Sequence, residues 1–475
     1  MTTNRALALI ALTTTLCACD AAPAAPGDAS GEDDAGTVPP PASDGGTPPP
    51  VGTGPWYEDS DGDGVADAVE EHAGTDPHDP SESPRTRGDF FFIVPYREEP
   101  TPPRDTLVFG TSLQRADVHF MIDTSISMQG YIDTVRDGLV TTVIPGLHAA
   151  IPDVALGVGQ FDVCPETQGY RPGMCEGIAM EQTSTTDPDA VVSALDTLTA
   201  DCSPVAEPYA QAAWVWATGD TARFPGMDAR SCPAGTTGLG CVREGSLPIL
   251  VVIGDEPFSQ SYRSLGPCRS EYSCVSCTSG PSPDEVAGAF AAIGGRLVVL
   301  GPTGTSPEWG PLVAATGAVD EAGNPLVFPG AGMADIDRAV VDAIARLAAA
   351  TPFDLTARAV DLDDDGVDAS AFVERVEPNV AGGVADRRDP SRVCVGGLAT
   401  IDADGDGFAD TFPDVTVGTP VCFDIVVRRN EIVPAGSEPR ILRAAIEVVG
   451  DGITVLDRRT VYFLVPADGG GPILI

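Results

Sequence analysis

The stretch from Ala116 to Met128, ADVHFMIDTSISM, constrains this chain more than any other. A short apolar run, Val118 to Ile122, leads directly into Asp123, Ser125 and Ser127. The run predicts a buried strand, with three oxygen-bearing side chains at alternate positions beyond its carboxyl end. Aspartate and hydroxyl oxygens on a tight loop are hard ligands, suited to Mg2+, Mn2+ or Ca2+. A divalent ion held at a strand's end points to adhesion or binding more than to turnover.

Residues 116–352 repeat this strand logic. Strand-like runs at 116–123, 153–161, 248–257 and 296–302 alternate with helix-like runs at 131–144, 189–198, 207–217, 282–295 and 335–350. Within the last, Ala339, Val340, Ala343, Ile344 and Leu347 have the spacing of one buried helix face. Near-continuous Val/Ile/Leu strands joined by helices predict an α/β fold, a doubly wound, mostly parallel sheet covered on both sides. Ligands of such sheets bind at the strands' carboxyl ends, where both Asp123 and Asp255 fall. Residues 223–246 and 258–281 interrupt the pattern with Gly, Ser, Pro and Cys, and border strands that carry site residues. Long loops at that edge serve recognition or are decoration. Beyond residue 353 helical periodicity gives way to β-branched runs such as 421–427, 441–449 and 459–466, which predict an all-β, sandwich-like domain.

Asp123-Thr124-Ser125-Ile126-Ser127 fits the Asp-x-Ser-x-Ser motif of von Willebrand factor A domains, and residues 106–352 resemble that family. Val251 to Asp255 stands where the family has apolar residues, a hydroxyl residue and a distal aspartate. Ser203 stands where the family has a metal-linked threonine. The resemblance implies a metal-ion-dependent adhesion site. Ser125 and Ser127 would hold Mg2+ or Mn2+ directly, Asp123 and Asp255 near it, and Ser203 directly or through water. An open position would accept an acidic side chain from a protein partner. Gly254 departs from the pattern by lacking the usual hydroxyl, which puts the hydrogen bonds around the aspartate in doubt.

A second metal chemistry is written in short acidic loops. Asp59, Asp61, Asp63, Gly64, Asp67 and Glu70 have the oxygen spacing of an EF-hand-like loop, with Val65 offering its carbonyl and Glu70 both carboxylate oxygens. With Gly74-Thr75-Asp76-Pro77 following, the segment resembles a thrombospondin type-three calcium repeat. Asp402, Asp404, Asp406, Gly407 and Asp410 repeat the first half, but Pro413 replaces the last carboxylate unless Asp414 shifts in. Asp361, Asp363, Asp365 and Asp368 form a weaker third set, explained equally by a solvated turn. Ca2+ at the N-terminal loop, and as a weaker candidate in the C-terminal domain, would stiffen the protein.

The N-terminus reads as an address. Arg5 precedes a short apolar core, residues 6–16, too short to span a bilayer. Leu16-Cys17-Ala18-Cys19 resembles a bacterial lipobox, which makes Cys19 the lipidated residue. The expected layout is a signal peptide at 1–18, a Pro/Gly/Asp-rich linker at 19–55, a calcium module at 56–87, the central domain with lead-in strands at 88–352 and the β domain at 353–475. The resemblance places the chain on a lipid anchor in the cell envelope, with the outer membrane as the expected site. Of twelve cysteines, ten remain after Cys17 and Cys19 are set aside, an even number that suits disulfides in an exported chain. Cys164–Cys175, Cys232–Cys241 and Cys394–Cys422 are local candidates. Cys202, Cys268, Cys274 and Cys277 are left over, and the last two have zinc-ligand spacing without a second pair to complete four ligands.

The net charge of −43, with every one of the 27 basic residues an arginine, disfavours nucleic acid and anionic membrane surfaces as partners and fits cations. Arg87-Gly88-Asp89 is a tripeptide that arises by chance in such a composition, and His119 reads as a packed core residue. No catalytic constellation emerges, so an enzyme is not expected. The alternative to adhesion is a calcium-stiffened spacer or scaffold with the central domain as inert bulk.

Overall fold

The computed structural model describes residues 58–162, 177–201, 207–223, 231–258 and 280–468, all within one compact unit. Cys19, Ser203, the Cys164–Cys175 pair and the four leftover cysteines lie outside the described residues.

A short helix, α1 (Asp67–Ala73), precedes β1 (Phe90–Ile93) and β2 (Arg104–Phe109). The central region runs β3 (Arg115–Asp123), α2 (Gln129–Gly138), α3 (Ile144–Ala150), β4 (Asp153–Phe161), β5 (Ile178–Thr185), α4 (Pro188–Thr197) and α5 (Tyr209–Thr218). It continues through a small hairpin, β6 (Thr236–Thr237) and β7 (Val242–Arg243), then β8 (Leu247–Ile253), α6 (Pro283–Ala292), β9 (Arg296–Leu300), α7 (Trp309–Ala315), β10 (Val327–Phe328) and α8 (Ile336–Ala350). The C-terminal strands are β11 (Pro352–Asp361), β12 (Val373–Pro378), β13 (Thr411–Thr416), β14 (Val421–Val427), β15 (Arg440–Gly450) and β16 (Thr454–Val465).

The central sheet has the order β10-β9-β8-β3-β4-β5. Its first five strands are parallel, and β5 pairs antiparallel with β4 at the edge. Every residue of β8 and β9 is buried, Arg296 at the start of β9 included, and the rest of both runs is apolar as strands covered on both faces require. The edge strand β5 was not expected. It reads IAMEQTST and buries only Ile178 and Met180, so its apolar signal stops after three residues. The helices fall into two groups: α2 and α3 each pack on α8, with α4 against α2, and α5 packs on α6 and α6 on α7. The helix α8 buries Ile336, Val340, Ala343, Ile344 and Leu347, one face at helical spacing. The helix α6 begins on a capping box in which Ser282 Oγ accepts from the Glu285 amide at 3.1 Å and Glu285 accepts from the Ser282 amide at 2.7 Å.

The C-terminal domain is assembled from both ends of the chain. A five-stranded sheet, β1-β16-β15-β11-β13, faces a three-stranded sheet, β12-β14-β2. The lead-in strands, expected to belong with residues 88–352, are hydrogen-bonded into these two sheets: β1 runs parallel to β16, and β2 antiparallel to β14. The α/β region is therefore spliced between β2 and β11, and the boundary at residue 88 cuts through the β domain. Phe412 of one sheet meets Phe423 of the other with ring centres 5.2 Å apart. The Arg459 side chain, fully buried, donates from β16 to the Val108 carbonyl of β2 at 3.0 Å and lies over the Phe109 ring. Such a charge is tolerated because Asp386 and Asp457 accept from the same guanidinium.

Two of the three local cysteine pairs expected from sequence are disulfides, Cys232–Cys241 and Cys394–Cys422. The second ties the irregular segment after β12 to β14, beside Val108, and both its cysteines are buried. Closing a loop of that length stabilises a domain by about 3 kcal/mol. The Cys394→Ala/Cys422→Ala double variant is expected to lose that amount in guanidinium unfolding, and an unchanged midpoint would assign the bridge no structural role.

Candidate functional site

The site forms where β3 and β8 end side by side. Ile122 pairs with Ile253, so Asp123 leaves β3 at the edge where Gly254 and Asp255 leave β8. The loop after β3 folds back at once. The Thr124 amide donates to the Phe161 carbonyl of β4 at 2.9 Å, and the Ser125 amide donates to Asp123 Oδ1 at 2.8 Å. The Met128 amide donates to the Ser125 carbonyl at 2.9 Å and starts the turn into α2. This brings the Ser125 and Ser127 hydroxyls to 3.3 Å from each other. Ser125 is buried, while Ser127 and Ile126 are exposed, Ile126 at 65 %.

The hydroxyl missing at Gly254 is supplied from elsewhere. Tyr209, the first residue of α5, donates its hydroxyl to Asp123 Oδ2 at 3.1 Å and accepts from the Glu256 amide at 3.2 Å. A Cβ at position 254 would lie 2.2 Å from that hydroxyl and 2.7 Å from the ring, so only glycine fits. The ring is clamped by Phe161 at 4.8 Å and Trp309 at 5.8 Å, and the Trp309 indole donates to Thr303 Oγ1 at 3.0 Å.

Electrostatically the site is overloaded with acid. Burial, opposed by the hydrogen bonds from Ser125 and reinforced by Asp255, pushes Asp123 up to about 7. Asp255 Oδ1 is buried with no hydrogen-bond partner. Glu207, not anticipated from sequence, is 4 % exposed, and its Oε2 is likewise buried and unpartnered. Burial and the charges of Asp123, Glu256 and Asp255 push Glu207 up to about 9. Tyr131 is raised by burial and by Asp255. Unpaired carboxylate oxygens out of water are costly, and a divalent cation is the group that relieves them. The donor set of two hydroxyls and acids from β3 and β8 fits such an ion.

The acidic loops divide into three cases. Among the described residues, the groups of three acids with oxygens within 4.8 Å of one another are Asp59/Asp61/Asp63 and Asp402/Asp404/Asp410. In the first loop the Gly62 and Gly64 amides donate to the two oxygens of Asp59, at 2.7 and 3.1 Å. Gly64, at φ 90°, occupies backbone space closed to other residues, as the spacing predicts. The Val65 amide donates to Asp63 at 2.8 Å. Asp67 caps the loop by accepting from the Ser60 amide and hydroxyl, both at 2.7 Å. Glu70 is fully buried with neither oxygen paired, and burial followed by Asp63, Asp61, Asp67 and Asp59 pushes it up to about 8. Val65, Ala66 and Val69 dock this loop and α1 on Phe91, Ile93, Tyr462 and Leu464 of the β domain.

The second loop copies the first. The Gly405 and Gly407 amides donate to Asp402, the Phe408 amide to Asp406, and the Ala403 and Asp404 amides to Asp410. Asp414 does not move in to replace the last carboxylate; its amide donates to Asp354 across β13 and β11, at 3.0 Å. In the third set the acids serve other contacts. Asp363 pairs with Arg443 and Asp365 with Arg440, while Asp361 and Asp368 accept from the Ala369 and Ser370 amides. His119 is fully buried, with Nε2 3.2 Å from the Ser184 hydroxyl and its ring edge-on to Trp216. Burial holds it down at about 4, so it is a neutral core residue.

No family model matches the chain, and no curated protein matches it. Among solved structures, a von Willebrand factor type A protein from Catenulispora acidiphila is similar at 12 % identity and a TM-score of 0.31, over 80 % of this chain and 72 % of that one. The proximal thread matrix protein 1 of the mussel byssus is similar at 11 % identity and a TM-score of 0.28, over 51 % of this chain and 48 % of that one. No helix among the described residues is long and apolar enough to cross a membrane.

Proposed function

We propose that the central region is a von Willebrand A-type module that holds a divalent cation between Asp123, Ser125, Ser127 and Asp255, with Ser203 as a further hydroxyl. Through that ion it binds a protein partner offering an acidic side chain. The observation that carries this reading is the meeting of a buried, acid-loaded Asp123 and an unpartnered Asp255 oxygen at the open edge of adjacent parallel strands. Tyr209 would orient Asp123 through its hydroxyl, and the Phe161–Tyr209–Trp309 wall would keep water from the aspartate's inner side. The bound ion would supply positive charge toward an incoming carboxylate, and exposed Ile126 would give the partner an apolar contact beside it. In the same reading, Cys19 carries a lipid anchor to the cell envelope and the linker holds the folded part off the membrane.

The stiffening role has its own support in Glu70, whose unpaired carboxylate faces the Asp59/Asp61/Asp63 cluster from a module docked on β1 and β16. Ca2+ there would lock that docking. Calorimetric titration of the chelator-stripped full chain with Mn2+ or Mg2+ tests the central site. Asp123→Ala is expected to remove one binding event and leave those of the acidic loops. An unchanged isotherm would reject the site.

A further inference from the structure

A long cleft runs between the α/β region and the β domain, at the opposite end of the central sheet from Asp123. Arg115 opens β3 and Asp123 closes it, which separates the two ends by about 26 Å. The cleft has two lobes, of about 850 and 490 Å³, that share Gln114, Val455 and Arg458. Five arginines line it: Arg115, Arg358, Arg388, Arg392 and Arg458. That is a dense cluster for a chain with 27 basic residues against 70 acidic ones. Six acids line the cleft too, but they are placed differently. The side chains of Asp386, Glu447 and Asp457 are 2, 10 and 15 % exposed, whereas those of the five arginines are 36–50 % exposed. The wall thus buries carboxylate behind guanidinium. Asp153 is held by Arg115 at 2.6 Å and Arg243 at 2.8 Å, and Asp389 accepts from the Ser391 amide at 3.1 Å. Glu244 is left as the exposed acid without an ion pair among the described residues.

The charges of the β-domain wall do not cancel. Glu447 is shared by Arg358 at 2.9 Å and Arg458 at 3.5 Å. Asp386 is shared by Arg388 at 3.4 Å, Arg392 at 3.5 Å and the buried Arg459 at 3.4 Å, and Asp457 takes Arg388 and Arg459 as well. Five guanidiniums therefore share three carboxylates and leave an excess of two positive charges. An arginine needed only to neutralise buried acid points inward, as Arg459 does. Arg392 and Arg458 instead stand 3.5 Å from their acids with much of the side chain in solvent.

We propose that this cleft is a binding site separate from the central edge, and that it takes an extended acidic segment of a partner protein. Arginine's planar fork matches a carboxylate with two parallel hydrogen bonds. The cleft is far larger than one small anion fills, and its arginines come from several elements, so the ligand carries several acids along its length. Pro152, Val360 and Val455 line it as well, and offer apolar contact to the side chains of a peptide. Elsewhere the net charge of −43 repels such a segment, and salt screens that repulsion beyond a short range, so the arginine wall decides where it settles. The site needs no cation and stands whether or not the central edge binds one.

The test is the fluorescence anisotropy of a labelled peptide that alternates glutamate with valine, titrated with the full chain in chelator at low ionic strength. Wild type is expected to bind the peptide and to ignore its counterpart with glutamine in place of glutamate. The Arg392→Gln/Arg458→Gln double variant is expected to bind about tenfold more weakly, since two charge-assisted contacts are lost. Both side chains are exposed, so the fold should survive, and Arg458→Gln alone decides the matter if the double variant does not fold. Asp123→Ala is expected to bind as wild type does, and so is Arg338→Gln, which removes an exposed arginine of α8 outside the cleft. A wild type that ignores the glutamate peptide, or a double variant that binds it within about twofold of wild type, overturns the proposal. A wild type that takes dextran sulfate but not the peptide overturns it in favour of a sulfated glycan.

Discussion

Gly254→Ser is expected to cost about 3 kcal/mol of stability and to abolish Asp123-dependent ion binding with it. The substitution restores the hydroxyl that the family resemblance leads one to expect, yet the Tyr209 ring and hydroxyl already fill the space, 2.2 Å from where the new Cβ would be. Tyr209 cannot withdraw, because Phe161 and Trp309 close on it from either side. Any shift also breaks its bonds to Asp123 and the Glu256 amide. Tyr209→Leu alone is destabilising, since it removes a fully buried aromatic ring. In the double variant the serine has room, so the two losses should not add. Guanidinium unfolding of all four proteins measures this, with an expected favourable coupling of about 1–2 kcal/mol. Strictly additive losses would show that Tyr209 and position 254 do not compete for one place.

The second large effect is a stability profile that changes direction with cation. Glu70, Glu207 and Asp123 are all raised in the folded chain, to about 8, about 9 and about 7. Each then favours folding most below its unfolded value, near 4.5 for glutamate and 3.8 for aspartate, and that contribution is lost as pH climbs through the folded value. His119, held down at about 4, works in the opposite direction: its contribution is complete above 6.5 and lost as pH falls toward 4. From these groups the chelated protein should therefore lose stability steadily from pH 5 upward, on the order of 3 kcal/mol by pH 9 after allowance for solvent screening. On the proposed reading Ca2+ binds the deprotonated acids and adds stability where the chelated protein is weakest. Melting curves from pH 5 to 9, in chelator and in millimolar Ca2+, should diverge progressively above pH 6. A melting temperature that rises with pH in chelator, or that ignores Ca2+ at pH 8, would contradict the assignment of Glu70 and Asp123 to ion sites.

What the sequence made legible follows from the range of each signal. Strands β3, β4, β8 and β9 announce themselves because burial on both faces keeps their runs largely apolar, even though β3 carries Asp117 and His119 inside its run. Asp123 and Asp255 are readable because they sit where such runs stop. The lead-in strands are readable as strands, but their partners β14 and β16 lie more than 300 residues away, and nothing in Phe90–Ile93 or Arg104–Phe109 records which sheet will take them. A strand's apolar pattern specifies that it is buried and leaves its neighbour open.

The missed site residues were hidden by context. Glu207 is one acid among 70, and its burial depends on how the approach to α5 packs on two strand ends. Tyr209 opens the helical run YAQAAWVW and looks like core, which it also is. The absent hydroxyl at Gly254 was the one available signal, since a glycine beside an essential aspartate implies that something large comes close. The third acidic set is ambiguous in sequence for the opposite reason. Its spacing resembles a calcium loop, but Arg440 and Arg443, some 75–80 residues onward, claim two of its acids. The loops at Asp59 and Asp402 differ from it in turning their amides inward onto those aspartates.

Anomalous diffraction from crystals of the full chain soaked in Mn2+ tests the central claim most directly. The account predicts a peak enclosed by Ser125, Ser127, Asp123 and Asp255. Manganese at the Asp59–Asp63 loop with none beside Asp123 would contradict it.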